Sequence, residues 1–329
     1  VLILGGLVTL TIVFMRIPGG IPEVLHRAAV AHKFDLVVSF DFNFARETFW
    51  MFALAGIIGN IQEFSTDQTK IQRYEAAKSD RSALGAVWTV GLGCIPIWTL
   101  FMFVGTALWV FYQEFPGALA AGLKPDEVYP HFILTEMPPG VGGFVIAAVL
   151  AAAMSSIDSS MNGTATVLTV DFYKKYLVKG RDDKHYLRAA RWISMALGGI
   201  MIVAAYTLSL IPGKTILDIG FFIGAVMGGG LGGFFLLGFV SNRTNKQGAT
   251  VGVVATVIVI LWCTLSHLGA VPEAVACHIH PFLIGVAANV TFFVVGFVAS
   301  YFFPKPDPDR IAGMTWWTRE MRKQQAVNA

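Results

Sequence analysis

Apolar positions in this chain come in long blocks. Eight runs cover roughly residues 1–15, 46–65, 83–113, 141–170, 189–211, 215–240, 248–268 and 279–303, and most charges fall between them. A helix needs about 20 apolar residues to cross the hydrocarbon core of a bilayer. A transmembrane barrel would instead show alternating segments of about ten residues. The pattern therefore predicts an all-α integral membrane chain with about eight membrane helices. The third and fourth runs exceed the minimum and must tilt or extend beyond the bilayer.

The first run, ending at Met15, gives about 22 Å of helix, short of the roughly 30 Å core. It has neither the basic start nor the small-residue cleavage site of a signal peptide. Residues 1–15 are thus expected to be the end of a membrane helix, and the sequence a fragment.

Basic residues sort by side. Eighteen of the 24 Lys and Arg fall in 66–82, 171–191, 241–247 and the tail after 303; Arg16, Arg27, Lys33, Arg46, Lys124 and Lys214 fall on the other side. Positive charge marks the cytoplasmic side, so the C-terminus is expected in the cytoplasm. The opposite connections carry turn signals. Pro18-Gly19-Gly20 precedes a mixed stretch, Ile21–Phe34, suited to a short helix along the interface. Residues 114–140, with Pro116, Pro125, Pro130, Pro138 and Pro139, suit an ordered external loop with short helices. Trp316 and Trp317 suggest an interfacial helix in the tail.

Composition narrows the function. Apolar residues make up 55% and charged residues 14%, against about 25% charged in soluble proteins. This excludes a soluble enzyme and a disordered protein. A net charge of +3, spread along the chain, excludes a nucleic-acid binder. Cys94, Cys263 and Cys277 match no zinc or redox spacing. The first two read as packing residues; Cys277, beside His278 and His280, is a weak metal candidate. No serine–histidine–acid arrangement, HExxH or P-loop appears, and no protein partner is evident; the expected partners are a small solute and the lipid bilayer.

Charged groups inside spans are costly unless paired or wetted, and so are functional candidates. The densest polar stretch is Met154–Thr164. Ser155, Asp158, Ser159 and Asn162 fall at i, i+3, i+4 and i+7, one helix face, with Ala152 and Ser156 on the adjoining strip. Such oxygens suit a small hard cation. They equally suit helix–helix contact through small residues and back-bonded hydroxyls. A second stretch, Asn60–Arg73, places Asn60, Glu63 and Phe64 where apolar character stops. It reads as the lining of a wet cavity or as a solvated helix end. Gly224, Gly228 and Gly232 form a smooth face, for packing or for a bend.

Three stretches together resemble the sodium/solute symporter family, which includes the sodium–glucose cotransporters. They are Asn60…Asp67-Gln68…Gln72-Arg73 with Ala76–Ser79; Ala151–Ser156 with Ser159, Asn162 and Asp171-Phe172-Tyr173; and Gly229-Gly230 to Gly238 with Arg243, Asn245, Lys246 and Gly248-Ala249. The likeness runs from Val1 to about residue 303. It implies an inverted-repeat (LeuT-like) transporter core with sites near the midplane. Residues 1–240 would then be the end of core helix 5 through core helix 10. Residues 241–303 would be two accessory helices, and 304–329 a cytoplasmic tail. Core helices 1 to 4 would be missing, as would the family's Thr-Asp pair early in helix 5.

By the same likeness, the carbonyl of Ala152 and the hydroxyls of Ser155 and Ser156 supply the helix 8 part of the sodium site. Asp158 and Ser159 stand where members with a second sodium use hydroxyls; the carboxylate is a departure. Asn60 stands at a sugar-contacting asparagine. Phe64 keeps the aromatic character expected beside it, whereas Glu63 and Cys94 depart from the galactose branch. The resemblance implies Na+-coupled symport of a sugar, sugar acid or short carboxylate by alternating access, in a plasma or bacterial inner membrane. The alternatives are a proton-coupled carrier, with Asp158 or Glu63 as relay, and a non-coupled channel or sensor on the same fold.

Overall fold

The computed structural model describes residues 2–35, 39–210 and 215–318. All eight apolar runs lie in helical segments, and among the described residues there is no strand. The elements are α1 (Leu2–Arg16), α2 (Gly20–Val30), α3 (Phe49–Thr66), α4 (Gln68–Glu75), α5 (Asp80–Glu114), α6 (Val128–Thr135), α7 (Val141–Val167), α8 (Asp183–Ser209), α9 (Ile216–Met227), α10 (Leu231–Val240), α11 (Lys246–His267), α12 (Ile284–Ala299) and α13 (Pro308–Ile311). Short 3₁₀ turns lie between several of them.

The expected count of eight spans needs qualification. Among the described residues, five helical stretches are long and apolar enough to cross a membrane by themselves, and up to seven if two bent pairs are counted. One pair is α1 and α2, which meet at 95° after Pro18, with Gly19 and Gly20 at positive φ. The short helix expected over Ile21–Phe34 is α2, set across α1. The other pair is α9 and α10, bent by 44° at the glycine run 228–230. The eighth, α3, lies outside that set because Asn60, Gln62, Glu63, Ser65 and Thr66 occupy its last turns.

The contacts divide the chain into two units, Val1–Leu36 with Gln72–Ile216, and Val37–Ile71 with Leu217–Ala329. In the first, α1, α2, α5, α6 and α7 surround a core of Val13, Val24, Ala28, Val104, Phe111 and Phe132. One end of this core is edged with ion pairs: Arg16 with Glu136 at 3.0 Å, and Arg27 with Glu114 at 2.5 Å. The loop 114–140 is ordered, with two 3₁₀ turns and α6, as its prolines suggest. Past Val167, α7 continues through Leu168–Leu177 in π geometry.

In the second unit α3 packs on α10 and α12, and α11 runs along α12. The small residues that permit this include Gly252, where an added Cβ would come within 3.1 Å of Gly296 Cα. The tail departs from expectation. Through residue 318 it contains α13 and turns, and no helix carries Trp316 and Trp317. Instead Trp316 N–H donates to the Phe239 carbonyl at 2.9 Å, and Trp317 Nε1 to the Val240 carbonyl at 2.7 Å. The two residues close the C-terminal end of α10. The remainder of the tail lies outside the described residues.

Candidate functional site

The cation candidates occupy the middle of α7. Buried residues hold that helix at both ends, through Gly142, Val145 and Ala148 before the polar stretch and Gly163 and Ala165 after it. Every residue from Val149 to Asn162 is exposed or half-buried. Within that section Ser155, Ser156, Asp158, Ser159 and Asn162 bond within their own helix. Ser155 Oγ and Ser156 Oγ both donate to the Ala152 carbonyl, at 2.9 and 3.2 Å. Ser159 Oγ donates to the Ser155 carbonyl at 3.0 Å. Asn162 Nδ2 donates to Asp158 Oδ1 at 3.3 Å, and Thr166 Oγ1 to the Asn162 carbonyl at 2.8 Å.

This pattern has a chemical consequence. Each serine uses its single O–H toward the backbone and keeps oxygen lone pairs free for a cation. The Ala152 carbonyl is more crowded, since two hydroxyls share it. For that carbonyl to coordinate an ion, at least one hydroxyl must rotate away, which costs a weak, exposed bond. The sequence-derived groups overlap in space. Ala152, Ser155, Ser156 and Ser159 make one strip, and Ser155, Asp158, Ser159 and Asn162 the next. Two serines are therefore common to both.

The solute candidates lie on α3, in the other unit. Asn60 Nδ2 donates to the Gly56 carbonyl at 2.8 Å, and the residue is exposed. Glu63 is not free: its carboxylate pairs with Lys70 Nζ. That ammonium also sits 4.6 Å from the centroid of the Phe64 ring. Thus Glu63 and Phe64 are brought together, but around Lys70, which carries no role in the sequence reading.

Asp67 makes this possible. Its N–H donates to the Glu63 carbonyl, closing α3, and its own carbonyl accepts from Lys70 and Ile71, opening α4. The chain turns at one residue, and Lys70 returns to Glu63. Asp67 Oδ1 accepts from both the N–H and the hydroxyl of Thr69, at 2.8 and 2.6 Å. Burial opposes ionisation of Asp67. The Thr69 hydrogen bonds and the nearby Lys70 charge outweigh it, and the carboxyl is held below its ordinary range.

Behind this face is a buried polar junction. Asn289 on α12 donates from Nδ2 to Gln62 Oε1 at 3.1 Å and to the Gly285 carbonyl at 2.7 Å. Its Oδ1 accepts from Gly233 N–H at 2.6 Å. One side chain therefore joins α3, α10 and α12. The glycines allow the approach: a Cβ at Gly228 would collide with the Gln62 amide, and one at Gly233 with the Asn289 carbonyl. Gly230, φ 91°, makes the bend itself. The run thus serves both readings, packing at 228 and bending at 230, while a Cβ at Gly224 would meet open space among the described residues. A search for charged groups passes over Asn289. The signal available was an amide in the middle of the last apolar run.

Cys277 faces neither His278 nor His280. Its thiol meets that of Cys263 at 3.0 Å, and both are buried. A wide cleft of about 870 Å³ lies along α10, the start of α11 and the tail, and no candidate residue lines it.

Residues 1–256 match the sodium:solute symporter family. The sodium/sialic acid symporter SiaT of Proteus mirabilis is 32% identical over 263 residues, 79% of this chain and 53% of that protein. The sodium/sialic acid symporter NanT of Aliivibrio fischeri is 28% identical, across 89% of this chain and 56% of its own length. The human sodium-coupled monocarboxylate transporter 1 is 26% identical, across 79% and 43%. The chain thus spans about half the length of the curated relatives it matches. A solved Na+-coupled sialic acid symporter, in a substrate-bound outward-open state, superposes with a TM-score of 0.80 at 27% identity. The match covers 93% of this chain and 61% of that one.

Proposed function

This chain belongs to the sodium:solute symporter family, and from that premise we propose that it carries the later helices of a sodium-coupled symporter for a small sugar acid. It is an integral membrane protein. The solute class follows the two sialic acid relatives; sugars and short carboxylates are the competitors. The proposed coupling ion is Na+, held from α7 by the Ala152 carbonyl and by Ser155, Ser156, Asp158 and Ser159. Asn60, Glu63 and Phe64 are proposed to line the solute path. Residues 1–240 are proposed as transporter core and 241–303 as accessory helices. The C-terminus is proposed to be cytoplasmic and the membrane the plasma (inner) membrane.

The observation that carries this reading is the α7 face. Its oxygens are satisfied by weak local bonds that an ion can replace without disturbing packing. A sodium ion there raises solute affinity only if it stabilises the solute-competent state, and the solute must then raise sodium affinity equally. Proton coupling through Glu63 is less well supported, because Lys70 already compensates its charge. The test is uptake of a labelled sialic acid by the full-length protein in vesicles, under imposed sodium or proton gradients. Sodium-driven accumulation is expected. Accumulation driven by protons alone would replace this reading with the proton-coupled one, and equilibration without accumulation would leave a channel.

A further inference from the structure

We propose that Cys263 and Cys277 form a disulfide that staples the connection between α11 and α12 on the outer face of the membrane. Cys263 lies in the penultimate turn of α11, and Cys277 in the connection leading to α12. Their sulfurs are 3.0 Å apart, and Cys263 is 1% and Cys277 8% exposed. The surroundings are Ile284, Phe222, Val226, Val259, Ile260 and Ile279, all apolar. A thiol pair gains little there, since S–H is a weak donor and S a weak acceptor. A covalent bond removes both donors.

The connection is already held in register around the pair. Trp262 Nε1 donates to the Val275 carbonyl at 2.8 Å, one residue before Cys263 and two before Cys277. His280 N–H donates to the Phe44 carbonyl at 2.6 Å. The thiols therefore meet because the backbone brings them together, not through a passing side-chain rotation.

The compartment comes from charge. Residues 269–278 lie on the side opposite the Lys- and Arg-rich connections, and so outside the cytoplasm; this rests on the orientation proposed above. Thiols oxidise in such compartments. The oxidant is a disulfide, borne by an oxidoreductase or a small thiol compound. As the connection docks, the Cys277 thiolate attacks one oxidant sulfur and displaces its partner as a thiolate. The Cys263 thiolate then attacks Cys277 sulfur and releases the second oxidant thiolate. The two protons and two electrons lost from the cysteines end on the two thiols of the reduced oxidant.

The experiment uses full-length protein denatured straight from membranes in N-ethylmaleimide and digested without reductant. The Cys263 and Cys277 peptides should appear chiefly as one linked species, two hydrogens lighter than the sum, while Cys94 carries maleimide. Cys277→Ser should abolish the linked species and make Cys263 alkylable. Separate peptides, each carrying maleimide, would overturn the proposal. Orientation is read independently in right-side-out vesicles, with Ala121→Cys in a Cys94→Ser background and a membrane-impermeant maleimide. Labelling together with free thiols at 263 and 277 overturns the staple alone. Absence of labelling overturns the orientation, and with it the placement of the staple on the outer face.

Discussion

The polar groups of α7 and those around Asn289 solve the same problem in opposite ways. On α7 the hydroxyls of Ser155, Ser156 and Ser159 bond to carbonyls three or four residues back, in an exposed section of helix. Around Asn289, residues 62, 233 and 289 meet across helices distant in sequence, with Asn289 and Gly233 buried and Gln62 half-buried. Bonds of the first kind can be exchanged for another partner with little loss, which is what an ion site requires. Bonds of the second kind are harder to replace, because Asn289 and Gly233 are buried and the glycines opposite leave little slack. The first arrangement can yield to another partner, as the proposed ion site requires; the second holds its helices together.

The sharpest way to break that contrast is Asn289→Leu. It leaves the buried Gly233 N–H without a partner and takes away the Gln62 Oε1 bond, at a cost of about 1–3 kcal/mol. Thermal unfolding of the full-length protein in detergent should show a clear loss of stability. Gln62→Ala should cost less, and the two changes together less than their sum, because the residues share a bond. Strict additivity would mean that the junction is not a unit.

The converse belongs on α7. The Ser155→Ala, Ser156→Ala double variant should barely change the unfolding temperature. The sodium concentration for half-maximal uptake should rise about tenfold, the equivalent of roughly 1.4 kcal/mol. An unchanged sodium dependence would remove these hydroxyls from the site.

Asp158→Asn sharpens the same region. If the carboxylate serves a second sodium, the Hill coefficient for sodium should fall toward one while uptake persists. If instead it relays a proton, the pH dependence of uptake should disappear. If neither moves, its bond to Asn162 is its whole role.

The smallest effect is expected from Glu63→Gln. The Glu63–Lys70 pair is largely exposed on the glutamate side, and such pairs contribute about 0–1 kcal/mol. Stability should hardly change, whereas apparent solute affinity should shift because Lys70 is released beside Phe64. No shift in affinity would place the pair outside the solute path.

These differences also explain what could be seen in the sequence. The α7 face was legible because its bonds follow helical spacing: Ala152, Ser155, Ser156 and Ser159 announce themselves at three and four residues. The eight helical segments were legible for the same reason, since each apolar run is local. The junction was not, because nothing near residue 62 in the chain points to residue 289. Lys70 was hidden by the turn at Asp67, which folds a residue seven positions away back onto Glu63. Cys263 and Cys277 matched no spacing motif, and only the path of the connection brings their sulfurs together. The tail misled for a related reason. Trp316 and Trp317 carry the composition of an interfacial helix, but the backbone carbonyls left free at the end of α10 claim them.

The bend between α9 and α10 has an electrostatic consequence. A helix that begins inside a membrane presents a cluster of N–H groups and a partial positive charge, a ready seat for an anion. At the start of α10 some of those donors are taken up by the protein. Leu231 N–H goes to the Gly228 carbonyl and Gly233 N–H to Asn289. The amide oxygen of Asn289 stands where an anion would sit, and it is tied to α12. The bend therefore places part of the N-terminal charge of α10 against an acceptor of the protein's own, the Asn289 amide oxygen, rather than leaving all of it to an outside anion.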